Sequence, residues 1–293
     1  MPKQNNDFDI LQRFSFERYP VRGIIIRLKA TYQQAYEYTE YSANTQKFLG
    51  EALCAIGLLS STIKYEGRLT LQAQGDGNLN LLLVQANEKL QLRGLAKEKH
   101  EVSSSFQTAL NQGHLLISID AKDAKNRYQA ITEIKKDNLA EVLEHYFMQS
   151  EQLPTRLWLF ADKDKAAGLL LQKIPSKNDE LIFWEHITKI AETITAEELL
   201  KLTNKEILQR LFHEEDIRLY DREPIAFKCG CSTERMEIII EQLGKKEVDG
   251  LIKEQGAITA TCEFCNRTYK FDKVDIAKIF SSGTKIKYID TKQ

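Results

Sequence analysis

From about Arg13 to Pro175 the apolar positions switch between a two-residue and a 3.6-residue repeat, the mark of strands interleaved with helices. Val21-Arg22-Gly23-Ile24-Ile25-Ile26-Arg27-Leu28 reads as a strand, and a helical pattern follows from Tyr32 to about Lys64. Leu69, Leu71 and Ala73 then alternate with polar neighbours, Gly75-Asp76-Gly77-Asn78 supplies a turn, and Leu79, Leu81 and Leu83 resume the alternation. A second turn at Asn87-Glu88-Lys89 leads into Leu90-Gln91-Leu92-Arg93, so the segment reads as an antiparallel meander. Further strands are expected at His114–Asp120, Arg156–Ala161 and Gly168–Lys173, with a helix around Asn138–Gln149. The expected fold class is α+β: an N-terminal antiparallel-sheet domain with helices over residues 1–175.

The pattern changes after Pro175. Between Ser176 and Arg222, 18 of 47 residues are charged, and the apolar positions keep helical spacing. Trp184, Ile187, Ile190, Ala191 and Ile194 form one stripe, and Thr195-Ala196-Glu197-Glu198 has the form of a capping box opening a new helix. Asn204 can cap a third helix, whose apolar face is Ile207, Leu208, Leu211 and Phe212. Short helices with narrow apolar faces are marginal alone and depend on docking. Residues 176–223 therefore read either as an ordinary helical connector or as a segment that undocks in a switch. From Pro224 a smaller region begins. Ser232 can cap a helix carrying Met236, Ile239, Ile240 and Leu243, closed by Gly244, and a further short helix runs to Glu254 before Gly256. Ala257–Thr261 and Thr268–Phe271 read as strands, and Asp272 can cap a last helix with Val274, Ile276, Ile279 and Phe280.

Length and composition narrow the class. A chain of 293 residues suits one large and one small domain, and 42% hydrophobic with 28% charged residues describes a globular protein with a core of its own. The 41 basic side chains face 42 acidic ones, a balance that argues against a general electrostatic grip on nucleic acid. Met1-Pro2-Lys3-Gln4-Asn5-Asn6-Asp7 is polar with no apolar run behind it, and stretches such as Leu53–Leu59 are too short to span a bilayer. The expectation is a cytoplasmic protein with no membrane partner, whose five cysteines stay reduced.

Four of those cysteines lie in the last section. Cys229-Gly230-Cys231 is followed, after 30 residues, by Cys262-Glu263-Phe264-Cys265. A C-x-x-C turn between two strands points both sulfurs to one side, and a second close pair brought in by folding completes a tetrahedron of thiolates for zinc. The region is small, so metal binding would supply much of its folding energy. The alternative, cysteines as small buried hydrophobes, fits poorly with two close pairs among polar and turn residues. The single residue inside the first pair departs from common zinc ribbons, which use C-x-x-C at both ends. Spacing also permits the same sulfurs to pair locally on oxidation, and the small ring of a C-x-C disulfide suits a labile, regulatory bond.

The other candidates are weaker. Cys54 lies in an apolar helical run with Leu53, Ala55, Ile56, Leu58 and Leu59 and reads as core. His100, His114, His145, His186 and His213 are scattered, none beside the cysteines. There is no phosphate loop, nucleophile elbow or H-E-x-x-H pair, so no enzyme and no catalytic residue is expected. Two other readings remain open. One is a zinc-ribbon nucleic-acid binder using Arg267, Lys270, Lys273, Lys278, Lys285 and Lys287, and the other a thiol oxidoreductase using Cys262 and Cys265.

The cysteine arrangement and its neighbours resemble a known family. Arg210-Leu211-Phe212-His213-Glu214-Glu215, Phe227-Lys228-Cys229-Gly230-Cys231-Ser232, Cys262-Glu263-Phe264-Cys265-Asn266 and Tyr269-Lys270-Phe271-Asp272 match it, as do Leu49–Leu53 and Gly67–Gly75. The chain is similar over nearly its whole length to the redox-regulated bacterial holdase chaperones, the 33-kilodalton heat-shock protein family. The resemblance implies three parts: an N-terminal chaperone domain (1–175), a metastable helical linker (176–223) and a zinc-binding redox domain (224–293). In the reduced, quiet state Cys229, Cys231, Cys262 and Cys265 would hold one zinc per chain. Oxidants such as hypochlorous acid, or peroxide with heat, would form the disulfides Cys229–Cys231 and Cys262–Cys265 and release zinc. The C-terminal domain would then unfold and destabilise the linker. Apolar surface would be exposed, a homodimer would form, and unfolding client proteins would be held without ATP.

Overall fold

The structure is a computed structural model and describes residues 7–121, 128–176 and 181–281. It divides into two compact units, Met1–Lys228 and Cys229–Gln293. In chain order the first unit opens with β1 (Ile10–Phe16), β2 (Val21–Leu28), α1 (Ala30–Tyr36) and the 20-residue α2 (Ala43–Thr62). The meander β3 (Gly67–Gln74), β4 (Leu79–Asn87) and β5 (Gln91–Glu98) follows, then α3 (Phe106–Leu110), β6 (His114–Ala121), β7 (Tyr128–Glu133) and α4 (Leu139–Tyr146) with a π-helical turn at Phe147–Glu151. β8 (Thr155–Ala161) and β9 (Ala166–Lys173) precede three helices, α5 (Leu181–Ala191), α6 (Ala196–Lys201) and α7 (Asn204–Phe212). Strands β10 (Ile217–Pro224) and β11 (Ala226–Phe227) end the unit.

Two sheets enclose α2. One runs β10-β1-β2-β9-β8, antiparallel throughout, and the other β11-β5-β4-β3-β6-β7, antiparallel except for β11 beside β5. Buried residues of α2 pack with Leu11, Ile24, Ile26, Leu28, Leu157 and Leu170 on one side and with Leu69, Leu71, Val84 and Leu92 on the other. The opposite face of the five-stranded sheet is covered too. There Phe14, Phe16, Val21, Ile25, Leu169 and Leu171 meet Phe183, Ile187, Ala191, Leu199, Ile207, Leu211 and Phe212 of α5–α7. Burial on both faces explains why β2 and β9 read as nearly continuous apolar runs. Gly23 pairs with Phe14 across β2 and β1, and a Cβ on it would fall 2.0 Å from the Phe14 ring. Its absence lets that ring lie across the strand toward Phe212.

Several boundaries differ from expectation for identifiable reasons. The helical stretch Tyr32–Lys64 is two helices, because Ser42 caps α2 while Glu98 accepts hydrogen bonds from its amide and hydroxyl. β1 begins at Ile10, ahead of Arg13. Its polar Gln12 and Arg13 are engaged with Tyr220, Ser61 and Glu223, which breaks the apolar alternation. α7 is capped by Thr203, not Asn204. The Thr203 hydroxyl accepts from the Glu206 amide and the Glu206 carboxylate accepts from Thr203, while Asn204 is buried against Gln12. Residues 217–224 form the edge strand β10 rather than continuing the helical run, and its mostly exposed side chains leave no alternation to read.

Glu51 lies within α2, 4% exposed, with the Lys47 ammonium 3.8 Å away. Burial pushes its carboxyl up to about 7, and Lys47 pulls it back only in part. A carboxyl raised on folding binds its proton more tightly in the folded state. Its contribution to stability is therefore full below the unfolded value and is lost as pH rises through about 7. Glu51→Gln should flatten that slope, which is on the order of 1 kcal/mol per pH unit in the window. Urea melts at pH 5 and pH 8 check this, and equal pH dependence in both proteins would refute it.

The second unit comprises α8 (Thr233–Leu243), α9 (Lys245–Gln255), the hairpin β12 (Ile258–Thr261) and β13 (Thr268–Phe271), and α10 (Lys273–Ser281). Its buried core is Met236, Ile240, Val248, Ile252, Ile258, Cys262, Phe271, Ile276 and Ile279.

Candidate metal centre

Two short segments of the second unit converge. Cys229-Gly230-Cys231 precedes α8, whose N-terminus is held by Ser232 accepting a hydrogen bond from the Arg235 amide at 3.4 Å. Arg235 also donates to the Gly230 carbonyl. A Cβ on Gly230 would meet only the end of that flexible guanidinium, so the backbone does not demand glycine between the two cysteines. Cys262 and Cys265 lie in the tight connection from β12 to β13. The Cys262 amide donates to the Arg267 carbonyl at 3.0 Å and the Asn266 amide to the Cys262 carbonyl at 2.8 Å. Asn266 takes a left-handed conformation, φ 53°, which asparagine tolerates better than most residues.

The four sulfurs all lie within 4.8 Å of one another, and among the described residues no other group of histidines, cysteines or carboxylates of this kind forms. Two of the approaches run across the pairs, Cys229 to Cys262 at 3.5 Å and Cys231 to Cys265 at 3.4 Å. A tetrahedron with metal–sulfur bonds of about 2.3 Å has edges of about 3.8 Å, so the donor set fits a four-coordinate thiophilic ion such as zinc. Cys262 is buried and the other three are half-buried.

Electrostatics supports the same conclusion about the donors. Burial opposes ionisation of Cys231, but hydrogen bonds from the Tyr269 hydroxyl and the neighbouring sulfurs outweigh it and bring that thiol down to about 7. Cys262 and Cys265 move the other way. Burial raises both, amide groups of the β12–β13 connection only partly oppose it, and the facing sulfurs add to it, so Cys265 is pushed up to about 12. One sulfur ionises at the expense of its neighbours, a conflict that a bound divalent cation removes.

Cys54 lies elsewhere, fully buried in α2, where burial pushes its thiol well up. The basic set Arg267, Lys270, Lys273 and Lys278 is exposed, and Lys285 and Lys287 lie outside the described residues. Between residues 229 and 281 there are 8 basic and 9 acidic side chains, so this stretch carries no basic excess. Among the described residues no helix is long and apolar enough to cross a membrane. Sequence reasoning missed Tyr269 as part of the site. Its hydroxyl donates to the Cys231 sulfur at 3.1 Å, and the available signal was strand alternation, which sets Tyr269 on the same side of β13 as buried Phe271.

Comparison with known proteins agrees with this architecture. A family model described as Hsp33 protein matches residues 9–272. A 33 kDa chaperonin of Nitrosococcus oceani is 43% identical over 288 residues, covering 98% of this chain and 99% of the relative. One from Shewanella sediminis is 41% identical over 276 residues, covering 94% and 96%. In fold, the chain resembles the crystal structure of 33 kDa chaperonin (heat shock protein 33 homolog) from Thermotoga maritima. The TM-score is 0.82 at 23% identity, over 94% of this chain and 98% of that one.

Proposed function

Since the chain belongs to the Hsp33 protein family, we propose that it is a redox-regulated, ATP-independent holdase of the bacterial cytoplasm, kept quiet by zinc and activated by oxidation. The observation that carries this reading is the convergence of Cys229, Cys231, Cys262 and Cys265 to within 4.8 Å in a small unit. Bound zinc would neutralise the thiolates and cross-link the two segments that bear them. The chain's own residues do the rest. The hairpin β12–β13 and the N-terminus of α8 hold the sulfurs close enough to be oxidised in pairs. For each pair, two thiolates, one hydrogen peroxide and two protons give one S–S bond and two waters, so two equivalents empty the site. Following the family resemblance, the pairs are Cys229–Cys231 and Cys262–Cys265. Loss of the cross-link unfolds the second unit and weakens the docking of residues 176–223. The apolar faces of α5–α7 and of β1, β2 and β9 then become available to unfolding client proteins and to a second copy of the chain.

The test is zinc content and free-thiol count on one sample, before and after peroxide at raised temperature, with aggregation of an unrelated unfolding protein followed alongside. The expected outcome is one zinc released as four thiols disappear, a gain in aggregation suppression, and no change in any of this in Cys54→Ala. Equal suppression before and after oxidation would remove the switch. Zinc that stays bound would leave a structural site and raise the nucleic-acid reading, which salt-sensitive binding to DNA or RNA would then support.

A further inference from the structure

A cleft of about 670 Å³ lies in the first unit, where the end of α2 meets β1 and β2. Half-buried Arg13 of β1 and Arg22 of β2 form its floor, and exposed Lys64, Glu66 and Glu88 stand at its rim. Arg22 is fixed from behind. Its Nε and Nη2 both donate to the Gln172 side-chain oxygen, the first at 3.0 Å, and the Gln172 amide donates to the Thr155 hydroxyl at 2.8 Å. That hydroxyl donates in turn to the Leu153 carbonyl at 3.0 Å, so a neutral chain through buried Gln172 and Thr155 holds the guanidinium in one orientation. Two of the five N–H groups of Arg22 are used in this way and three remain for the cleft. Among the described residues no carboxylate pairs with Arg22, and the charge that acts on it is a second cation, Arg13. Burial, and after it that neighbour, hold the Arg22 pKa below the ordinary value for arginine. Arg13 is better served, by Glu223 and by the Ser61 carbonyl at 3.3 Å. The end of α2 adds little negative charge, because the Ser61 and Thr62 hydroxyls donate to the Leu58 and Leu59 carbonyls, both at 2.8 Å. Glu66 and Glu88 are exposed, so water and salt screen them far more than the floor.

We propose that this cleft binds a phosphate group, free or carried on a small ester, with Arg22 as its principal ligand and Arg13 and Lys64 as supporting cations. The Nη1–Nη2 end of the Arg22 guanidinium is a planar fork that matches two phosphate oxygens, and Lys64 at the rim supplies a mobile point charge for a third. A phosphate monoester is largely dianionic at neutral pH, so one ligand answers both guanidiniums of the floor, whereas a carboxylate answers only one. The cleft falls within the size range of small-molecule sites and leaves room for the body of an ester behind the phosphate. All of these residues belong to the first unit, so the site does not depend on the redox reading.

The experiment titrates the full-length, reduced protein with inorganic phosphate at constant ionic strength and follows the backbone amides of Lys64 and Tyr65 by NMR. Saturable shifts with a Kd of about 0.1–10 mM are expected. Arg22→Met, which keeps the apolar stem, weakens binding by about tenfold or more. Arg22→Lys weakens it about 3- to 10-fold, because an ammonium cannot serve Gln172 and a phosphate fork together. Lys64→Ala costs about 2- to 5-fold. Arg18→Ala, which removes an exposed arginine paired with Asp216 outside the cleft, changes nothing. AMP separates the two sources: binding as tight as phosphate or tighter assigns the cleft to esters, and weaker or no binding assigns it to the free ion. Acetate that binds as tightly as phosphate would overturn the phosphate assignment. Shifts that chloride reproduces at equal ionic strength, or an Arg22→Lys protein that binds as well as wild type, would overturn the site and leave only a diffuse positive surface. If Arg22→Met does not fold, Arg22→Lys and Lys64→Ala decide by the same readout.

Discussion

On the proposed zinc site, stripping the metal from the reduced protein with a strong chelator will unfold residues 229–281 and leave the first unit folded. The second unit's core is a handful of side chains, among them Met236, Ile240, Val248, Ile252 and Phe271, spread under three short helices and one hairpin. Helices of 11, 11 and 9 residues fall below the length at which isolated helices hold in water, and a lone two-stranded hairpin is marginal as well. Along α8, Ile238, Ile239 and Leu243 are 44%, 50% and 46% exposed, so even the apolar residues present are only partly used. A structural zinc contributes about 10–16 kcal/mol at neutral pH, as much as or more than the whole stability of a typical domain. Without it, burial of this size does not offset the conformational entropy of ordering the segment. Cys262→Ser, which removes the most buried of the four proposed ligands, is expected to reproduce the effect. Hydrogen exchange by NMR checks both: amides in α8, α9 and α10 should lose protection while those in α2 and β2 keep it. Persistent protection in α9 after complete zinc removal would show that the core is self-sufficient.

The parts of the fold that were legible in the sequence are those where burial and local pattern agree. The meander Leu69–Arg93 alternates because one face of its sheet lies on α2, and the cysteine pairs signalled their convergence because few other chemistries use two close pairs in so small a region. What could not be read has a physical cause in each case. β1 hides behind Gln12 and Arg13, polar residues satisfied by partners about 50 to 210 positions away. β10 is an edge strand whose outward side chains are charged, and charge alone suits a helix equally well. Thr203 and Asn204 are both good caps by type, and only tertiary burial of Asn204 decides between them. Tyr269 looked like one more strand residue because its role depends on a sulfur 38 positions earlier.

Arg27 was the least legible of all, and it carries the second large effect. It reads as a polar interruption of an apolar strand, yet it is 1% exposed on the face of β2 that α5–α7 cover. Its Nη2 donates to the Leu200 carbonyl of α6 at 3.2 Å and its guanidinium stacks over the Phe8 ring at 4.3 Å, but Nε and Nη1 find no hydrogen-bond partner. Nearby, Asn204 of α7 donates to Gln12 at 3.0 Å and leaves its own side-chain oxygen unsatisfied. A buried cation with incomplete hydrogen bonding costs stability, and burial accordingly lowers the Arg27 pKa. That cost is recovered when the helical layer lifts and water reaches the guanidinium, so Arg27 works against the docking that Phe14, Phe16 and Phe212 favour. Two substitutions should therefore act with opposite sign. Arg27→Met, similar in length and apolar, is expected to tighten the layer by about 1–4 kcal/mol, the range found when buried ions give way to hydrophobic residues. Phe212→Ala removes a ring 2% exposed that meets Phe16 edge-on at 5.2 Å, and should loosen the layer by about 3–5 kcal/mol. Amide exchange within α5–α7 reports both, slower in the first variant and faster in the second, with β3 and β4 as internal reference. On the proposed switch, the tightened variant needs more oxidant or heat before it suppresses aggregation, and the loosened one suppresses it while still reduced. Faster exchange in Arg27→Met would mean that the Leu200 carbonyl and the Phe8 ring hold the guanidinium more strongly than its burial costs, and the seam would then owe its instability to the short helices alone.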